Sequence, residues 1–176
     1  MPSLITCTPG GAADNAYLDL EDADAYFADT LRAETWATWP GVQRERALIQ
    51  ATGEIERLGG AKATDSAARQ RFPGRPQTTT QALHFPRGSD LDAAGAHVIP
   101  AAVREAVCEQ AFWLLSKQDN PDLLPREELR ARGVSSVSVD GLSEGYGPNA
   151  SGPAYLAPRA WELMRPLVRR SWKTTL

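Results

Sequence analysis

Cysteine and histidine are scarce, with two of each in 176 residues. Cys7 and Cys108 cannot staple a small secreted fold, and they fit synthesis in a reducing compartment. His84 and His97 have no Cys-x-x-Cys or His-x-x-x-His partner, so the sequence carries no zinc-site pattern. Long apolar runs are missing too. The longest uninterrupted one, Ala111–Leu115, is far short of the roughly 20 residues a membrane helix needs. No basic segment followed by an apolar core opens the sequence, so no signal peptide is expected. Nor is there a surplus of one charge: 19 basic and 22 acidic residues leave a net of −3, which gives no overall nucleic-acid footprint. What remains is 42% hydrophobic and 23% charged, the composition of one ordinary domain able to bury a core.

The charge that is present is unevenly placed. Residues 1–40 hold seven acids and one base, a net of −6, whereas residues 152–176 hold five bases and one acid, a net of +4. An acidic head and a basic tail imply two electrostatic environments, or else ordinary solvated surface.

Hydrophobic periodicity predicts a mainly α fold: a small helical bundle with long ordered loops, one short β-hairpin and a C-terminal docking segment. Residues 1–16, with Pro9-Gly10-Gly11 and no apolar period, read as a flexible arm. Asp19 can cap a first helix whose buried face is Ala23, Tyr26, Phe27 and Leu31, fraying near Ala33. Trp36 and Trp39 follow on a turn that Pro40 ends. A second helix spans about Val42 to Leu58, with Leu48, Ala51, Ile55 and Leu58 inward and Arg44, Glu45, Glu54 and Glu56 mostly toward solvent. Gly53 within it would mark a close helix contact. Residues 59–99 are irregular, with Phe72, Leu83 and Phe85 as anchors. Pro100 opens a third helix, expected at the centre of the core through Val103, Val107, Gln110 or Ala111, and Leu114 or Leu115. Leu123 to Arg132 reads as a further short helix. Val134, Val137 and Val139 before Asp140-Gly141 then signal a hairpin over 134–146. Residues 17–147 form the helical domain, and 148–176 are a linker and docking segment that Pro166 should interrupt.

Catalytic signals are weak. There is no Gly-x-Ser-x-Gly turn, and Gly59 to Thr64 has the composition of a phosphate loop without its order. Each histidine reads as a loop residue bonding to backbone, and Cys108 as a small buried apolar residue. No cofactor or metal is expected. Arg69, Arg71, Arg75 and Arg87 with Phe72 and Phe85 form a basic-aromatic mix that could stack bases and hold phosphates. The same residues could equally pair with acids across a subunit interface and anchor a loop.

The order of these segments resembles a known family. Tyr17-Leu18-Asp19-Leu20-Glu21-Asp22-Ala23-Asp24-Ala25-Tyr26-Phe27 is followed by the tryptophan turn and Ala47-Leu48-Ile49-Gln50-Ala51-Thr52. Then come Phe72-Pro73-Gly74-Arg75, Gln81-Ala82-Leu83-His84-Phe85-Pro86-Arg87, Ile99-Pro100-Ala101-Ala102-Val103, the Gly133-Val134-Ser135-Ser136 hairpin and an arginine-rich tail. Over about residues 17–170 this is similar to the head–tail connector (adaptor, or head completion) proteins of tailed bacteriophages, relatives of which are labelled DnaT-like single-stranded-DNA-binding proteins. The sequence departs from them at Phe85, where tryptophan is more usual, and in the loop from Gly88 to His97.

The resemblance implies a non-enzymatic virion subunit, assembled in the host cytoplasm. Its copies would form a ring, commonly of twelve, beneath the portal protein, joined to the next neck or tail protein and surrounding the channel through which genomic DNA passes. The alternative is a replication-type module that binds single-stranded DNA. Under the connector reading, the apolar stripe edged by arginine (Trp161, Met164, Arg165, Leu167, Val168, Arg169, Arg170 and Trp172) grips the portal. The other possibility for that stripe is that it folds back on its own bundle. Arg71, Phe72, Arg75, Phe85 and Arg87 are the expected inter-subunit or channel loop, and Asp140 and Gly141 the hairpin turn. The tryptophans Trp36, Trp39, Trp161 and Trp172 exceed what one small core requires, which favours partner surfaces.

Overall fold

A computed structural model describes residues 2–60, 71–119, 136–139, 142–145, 153 and 155–168. Helix α1, Leu20–Ala28, starts where expected: the Asp19 carboxylate accepts the Asp22 backbone N–H at 2.9 Å. It ends earlier than the periodicity implied. The N–H and hydroxyl of Thr30 both donate to the Phe27 carbonyl, at 2.9 and 2.8 Å, and close the helix. Ala23 and Phe27 are buried, but Leu31 falls beyond that stop and is fully exposed, which corrects its placement on the buried face.

Helix α2, Ala33–Thr38, takes the place of a simple tryptophan turn. Trp36 and Trp39 are 2% and 6% exposed, so neither is a surplus aromatic waiting for a partner. Trp36 stacks on Phe27 with ring centroids 4.4 Å apart. Trp39 meets the Phe112 ring edge-on at 5.3 Å. An indole can be buried this way only if its N–H is satisfied. Asp24 accepts from Trp36 at 2.6 Å and Asp119 from Trp39 at 2.5 Å.

Helices α3, Gly41–Gly59, and α4, Ala101–Asp119, form the centre of the core. They run antiparallel, because Trp39 just before α3 reaches Asp119 at the end of α4, while Glu54 meets Gln110 midway. Ala47, Leu48, Ala51, Ile55 and Leu58 face Val103, Val107, Ala111 and Leu115 within one apolar cluster. Two expectations for α3 fail. Glu45 is buried, because the Ser3 hydroxyl and the Leu4 N–H donate to its carboxylate, at 2.7 and 3.3 Å. Gly53 is exposed, and a Cβ there would meet nothing within 4 Å. The close-contact glycine is Gly59, where a Cβ would lie 2.1 Å from His84 Cδ2 and 2.8 Å from Phe72 Cδ2.

The described part of the expected 1–16 arm, residues 2–16, carries a set of local hydrogen bonds. The Asn15 N–H donates to the Thr6 carbonyl at 3.0 Å, the Asn15 Oδ1 accepts the Thr6 N–H at 2.8 Å, and Asp14 accepts the N–H groups of Thr8 and Gly11. Ala82 N–H then donates to the Gly11 carbonyl at 2.9 Å, tying the segment to the irregular stretch. These local side-chain bonds do what a periodic apolar face does elsewhere.

Helix α5, Pro158–Met164, gives way at Pro166 to a 3₁₀ turn, Arg165–Leu167. It folds back on its own bundle. Ala160 and Met164 are fully buried against the core, and Leu156 and Ala157 nearly so. Gln110, itself fully buried, locks this return: its amide donates to the Tyr155 carbonyl at 3.0 Å and its oxygen accepts the Ala157 N–H at 2.6 Å. Strands β1, Ser136–Val139, and β2, Leu142–Gly145, pair antiparallel with Val139 opposite Leu142. The turn residues Asp140 and Gly141, the ends of the 134–146 element, and the helix expected over Leu123 to Arg132 lie outside the described residues. Among the described residues no helix is long and apolar enough to cross a membrane.

Candidate functional site

The basic-aromatic residues expected to face a channel or a neighbour divide into two groups. Phe72 and Phe85 are 1% and 4% exposed, with ring centroids 4.8 Å apart. The edge of Tyr17 meets Phe85 at 5.9 Å. Arg87 is buried as well. Its guanidinium donates to the carbonyls of His84 at 3.1 Å, Pro73 at 3.2 Å, Phe72 at 3.4 Å, and Gly74. A rigid fork of donors can satisfy several carbonyls that no regular element pairs. The Phe72-Pro73-Gly74-Arg75 and Phe85-Pro86-Arg87 motifs are thus two halves of one internal clasp, reinforced by Gly88 N–H to Arg75 O at 2.8 Å. This corrects the placement of Phe72, Phe85 and Arg87 at a partner surface. Arg71 and Arg75 remain exposed.

A second set of buried polar groups joins this clasp to α3. Glu56 accepts from the Tyr17 hydroxyl and from the His84 N–H, at 3.0 and 3.1 Å to its two oxygens. The His84 Nδ1 lies 3.6 Å from the same carboxylate, so this histidine is matched to a side chain rather than to backbone alone. The Tyr17 hydroxyl in turn accepts the Phe85 N–H at 3.2 Å. Burial, then the charge of Glu56, pushes the Tyr17 phenol well above its ordinary range, so it serves as a fixed donor. The buried Glu109 is clasped in the same manner by Arg32, at 2.7 and 2.5 Å, and by the Tyr26 hydroxyl at 2.7 Å. Burial opposes ionisation of Glu109, yet the Arg32 and Tyr26 bonds more than offset it and hold the carboxyl below its usual range. These groups cross-link elements; none sits as a base beside a nucleophile. Periodicity placed Glu56 toward solvent, which these bonds correct, and passed over Glu109. For Gln110, its position on the apolar face of α4 was the available signal.

One open surface feature among the described residues is a groove where the N-terminal segment, the start of α1 and the start of α4 meet. Two adjoining hollows of about 480 and 260 Å³ share Leu18, Asp22, Ala101 and Arg104. The floor is apolar, with Ala16, Leu18, Leu83, Phe85 and Ile99. The rim is acidic: Asp14, Asp19 and Asp22 at the larger hollow, Glu105 at the smaller. Arg104 is the basic residue there, 3.5 Å from Asp22. Cys7 lines the larger hollow, and its thiol is pushed up by burial and then by Asp19, Asp14 and Asp22. The groove therefore presents apolar surface under a negative field, the complement of a basic segment with an apolar anchor. Among the described residues no group of His, Cys, Asp and Glu could hold a metal ion.

The expected portal-docking stripe is also divided. Met164 belongs to the core and Trp161 is half-buried on the bundle, because the apolar face of α5 is the one that covers α4. Arg165 is exposed, and Leu167 and Val168 are half-buried. Arg169, Arg170 and Trp172 lie outside the described residues. A basic-aromatic contact does survive on the surface: Arg57 sits over the Tyr155 ring at 4.2 Å, with the charge of Arg71 near the same phenol.

Comparison with known proteins matches residues 3–175 to a family described as "Putative DnaT-like ssDNA binding protein". No curated protein and no solved structure matches the chain.

Proposed function

The chain belongs to the putative DnaT-like ssDNA-binding protein family, and from that premise we propose that it is a structural adaptor of a phage virion. In this reading its copies form a ring beneath the portal that joins the head to the neck or tail and surrounds the DNA channel. It takes no catalytic part and needs no cofactor. The observation that carries the reading is the burial of Phe72, Phe85 and Arg87. Base stacking needs aromatic faces at the surface, and these rings lie in the subunit's own core. What the surface offers instead suits protein partners: an acidic groove with an apolar floor, and Arg165, Leu167 and Val168 where α5 leaves the bundle. Those three residues begin the portal contact. The paired strands Ser136–Val139 and Leu142–Gly145 are a ready edge for a neighbouring chain, since two strands alone are marginal in water.

The second reading, a module for single-stranded DNA, is favoured by the family description and by the exposed Arg57 and Arg71 beside Tyr155. Co-expression with the portal protein separates the two. The adaptor reading expects co-purification and closed rings by electron microscopy, with only weak oligonucleotide binding. Tight oligonucleotide binding that falls steeply with salt, together with no portal complex, overturns it in favour of the second.

A further inference from the structure

The acidic groove has an apolar floor with nothing of its own chain on it among the described residues, and the sequence contains one segment of matching chemistry. Residues 169–176 read Arg-Arg-Ser-Trp-Lys-Thr-Thr-Leu: three bases, no acid, and a tryptophan among them. We propose that these residues of one copy dock in the groove of the next copy, with Trp172 on the floor formed by Leu18, Leu83 and Ile99, and Arg169, Arg170 and Lys173 facing Asp22 and Glu105.

Two observations bear on this independently. The first is shape: the two hollows adjoin through Leu18, Asp22, Ala101 and Arg104 and together form one open groove rather than an enclosed cavity. The second is charge. The sequence concentrates a net of −6 in residues 1–40 and +4 in residues 152–176, and the fold gathers part of that acidic surplus (Asp14, Asp19 and Asp22) around the groove. A contact between different surfaces of identical chains is heterologous, and it repeats until the rotation closes a ring. The inference thus deepens the adaptor reading by naming the contact between neighbours, and it rests on that reading for the ring. It leaves Arg165, Leu167 and Val168 to the portal.

A charge exchange tests it on the full-length protein. Asp22→Lys with Glu105→Lys makes the groove basic, and Arg169→Glu with Arg170→Glu makes the tail acidic. Asp22→Lys keeps the backbone N–H that the Asp19 carboxylate accepts, and neither Asp22 nor Glu105 is a core residue. Light scattering should show wild-type association that weakens with salt. Each double variant alone should lose at least about tenfold in association, and an equimolar mixture of the two should regain it. Cys7 supplies a second readout, since Cys108 is buried and Cys7 lines the groove. A synthetic peptide of residues 169–176 should slow alkylation of Cys7, and the Arg→Glu peptide should not. The proposal is overturned if both variants associate like the wild type, if the mixture fails to recover while each variant keeps the wild-type circular dichroism, or if Cys7 is protected in a monomer at all concentrations, which would place a chain's own tail in its groove. Portal co-purification is scored separately. A subunit that binds portal but ignores the charge exchange sinks this contact and leaves the adaptor reading standing.

Discussion

The helical body and the irregular stretch from Arg71 to Asp90 bury their anchoring residues by opposite means. In the body, α3 and α4 turn apolar faces toward each other, and backbone bonds are satisfied within each helix. In the irregular stretch the backbone has no ladder, so its polar groups need individual partners. Arg87 takes four carbonyls, Gln81 takes those of Leu83 and Pro86 at 2.7 and 3.2 Å, and Glu56 takes the His84 N–H. Phe72 and Phe85 are anchored in the core only because these charged and amide groups are beneath the surface with them. A segment of low periodicity can therefore be as ordered as a helix, but its order hangs on a few side chains.

That contrast can be broken at its most concentrated point. Arg87→Leu leaves the buried Phe72 and His84 carbonyls without this donor and should destabilise the fold by about 3 kcal/mol or more. Hydrogen exchange should show the loss concentrated at residues 71–90, with α3 and α4 still protected. Uniform loss across the helices would mean that the two regions do not differ in the way described. At the seam between them, Gly59→Ala puts a methyl group against the buried His84 and Phe72 rings. We expect a cost of about 2–3 kcal/mol in urea unfolding. An unchanged midpoint would show that the rings move aside easily.

Within the body, a single buried ion pair offers a pH test. Glu109→Gln keeps an acceptor for Tyr26 but removes the charge facing Arg32, which is 37% exposed, so the expected cost at pH 7 is about 1–2 kcal/mol. The folded-state carboxyl is held low, so its contribution is present above the unfolded value, near pH 4.3, and is lost as pH falls through the folded value. Wild type and variant should therefore begin to converge in stability as pH falls below about 4.3 and meet only beneath the lower folded-state value; a constant gap would show that charge is not the cause. The smallest effect has the opposite sign. Gly53→Ala on the exposed side of α3 should stabilise by roughly 0.5–1 kcal/mol, measured as a raised melting temperature. Loss of stability there would restore the helix contact that the sequence suggested.

Read alone, the sequence determined the elements whose physics is local. Asp19 as a cap, the spans of α3 and α4, Pro100 at the head of α4 and the break at Pro166 all follow from capping, a 3.6-residue period and proline's missing donor, which act within a few residues. Phe72 and Phe85 were legible as anchors because an irregular stretch needs some apolar hold. The same two residues were also read as partner-facing, and neither composition nor spacing could decide between those roles. Tertiary structure decided it, by bringing Arg87 beneath them and Tyr17 from across the chain. It also turned Trp36 and Trp39 inward by supplying Asp24 and Asp119, and returned α5 to the bundle by offering Gln110. The acidic groove belongs to the same class: its aspartates were visible as a charge imbalance, but their rim and its apolar floor exist only where three separate segments meet. Burial of a polar side chain depends on a partner distant in sequence, and a local pattern carries no record of that partner.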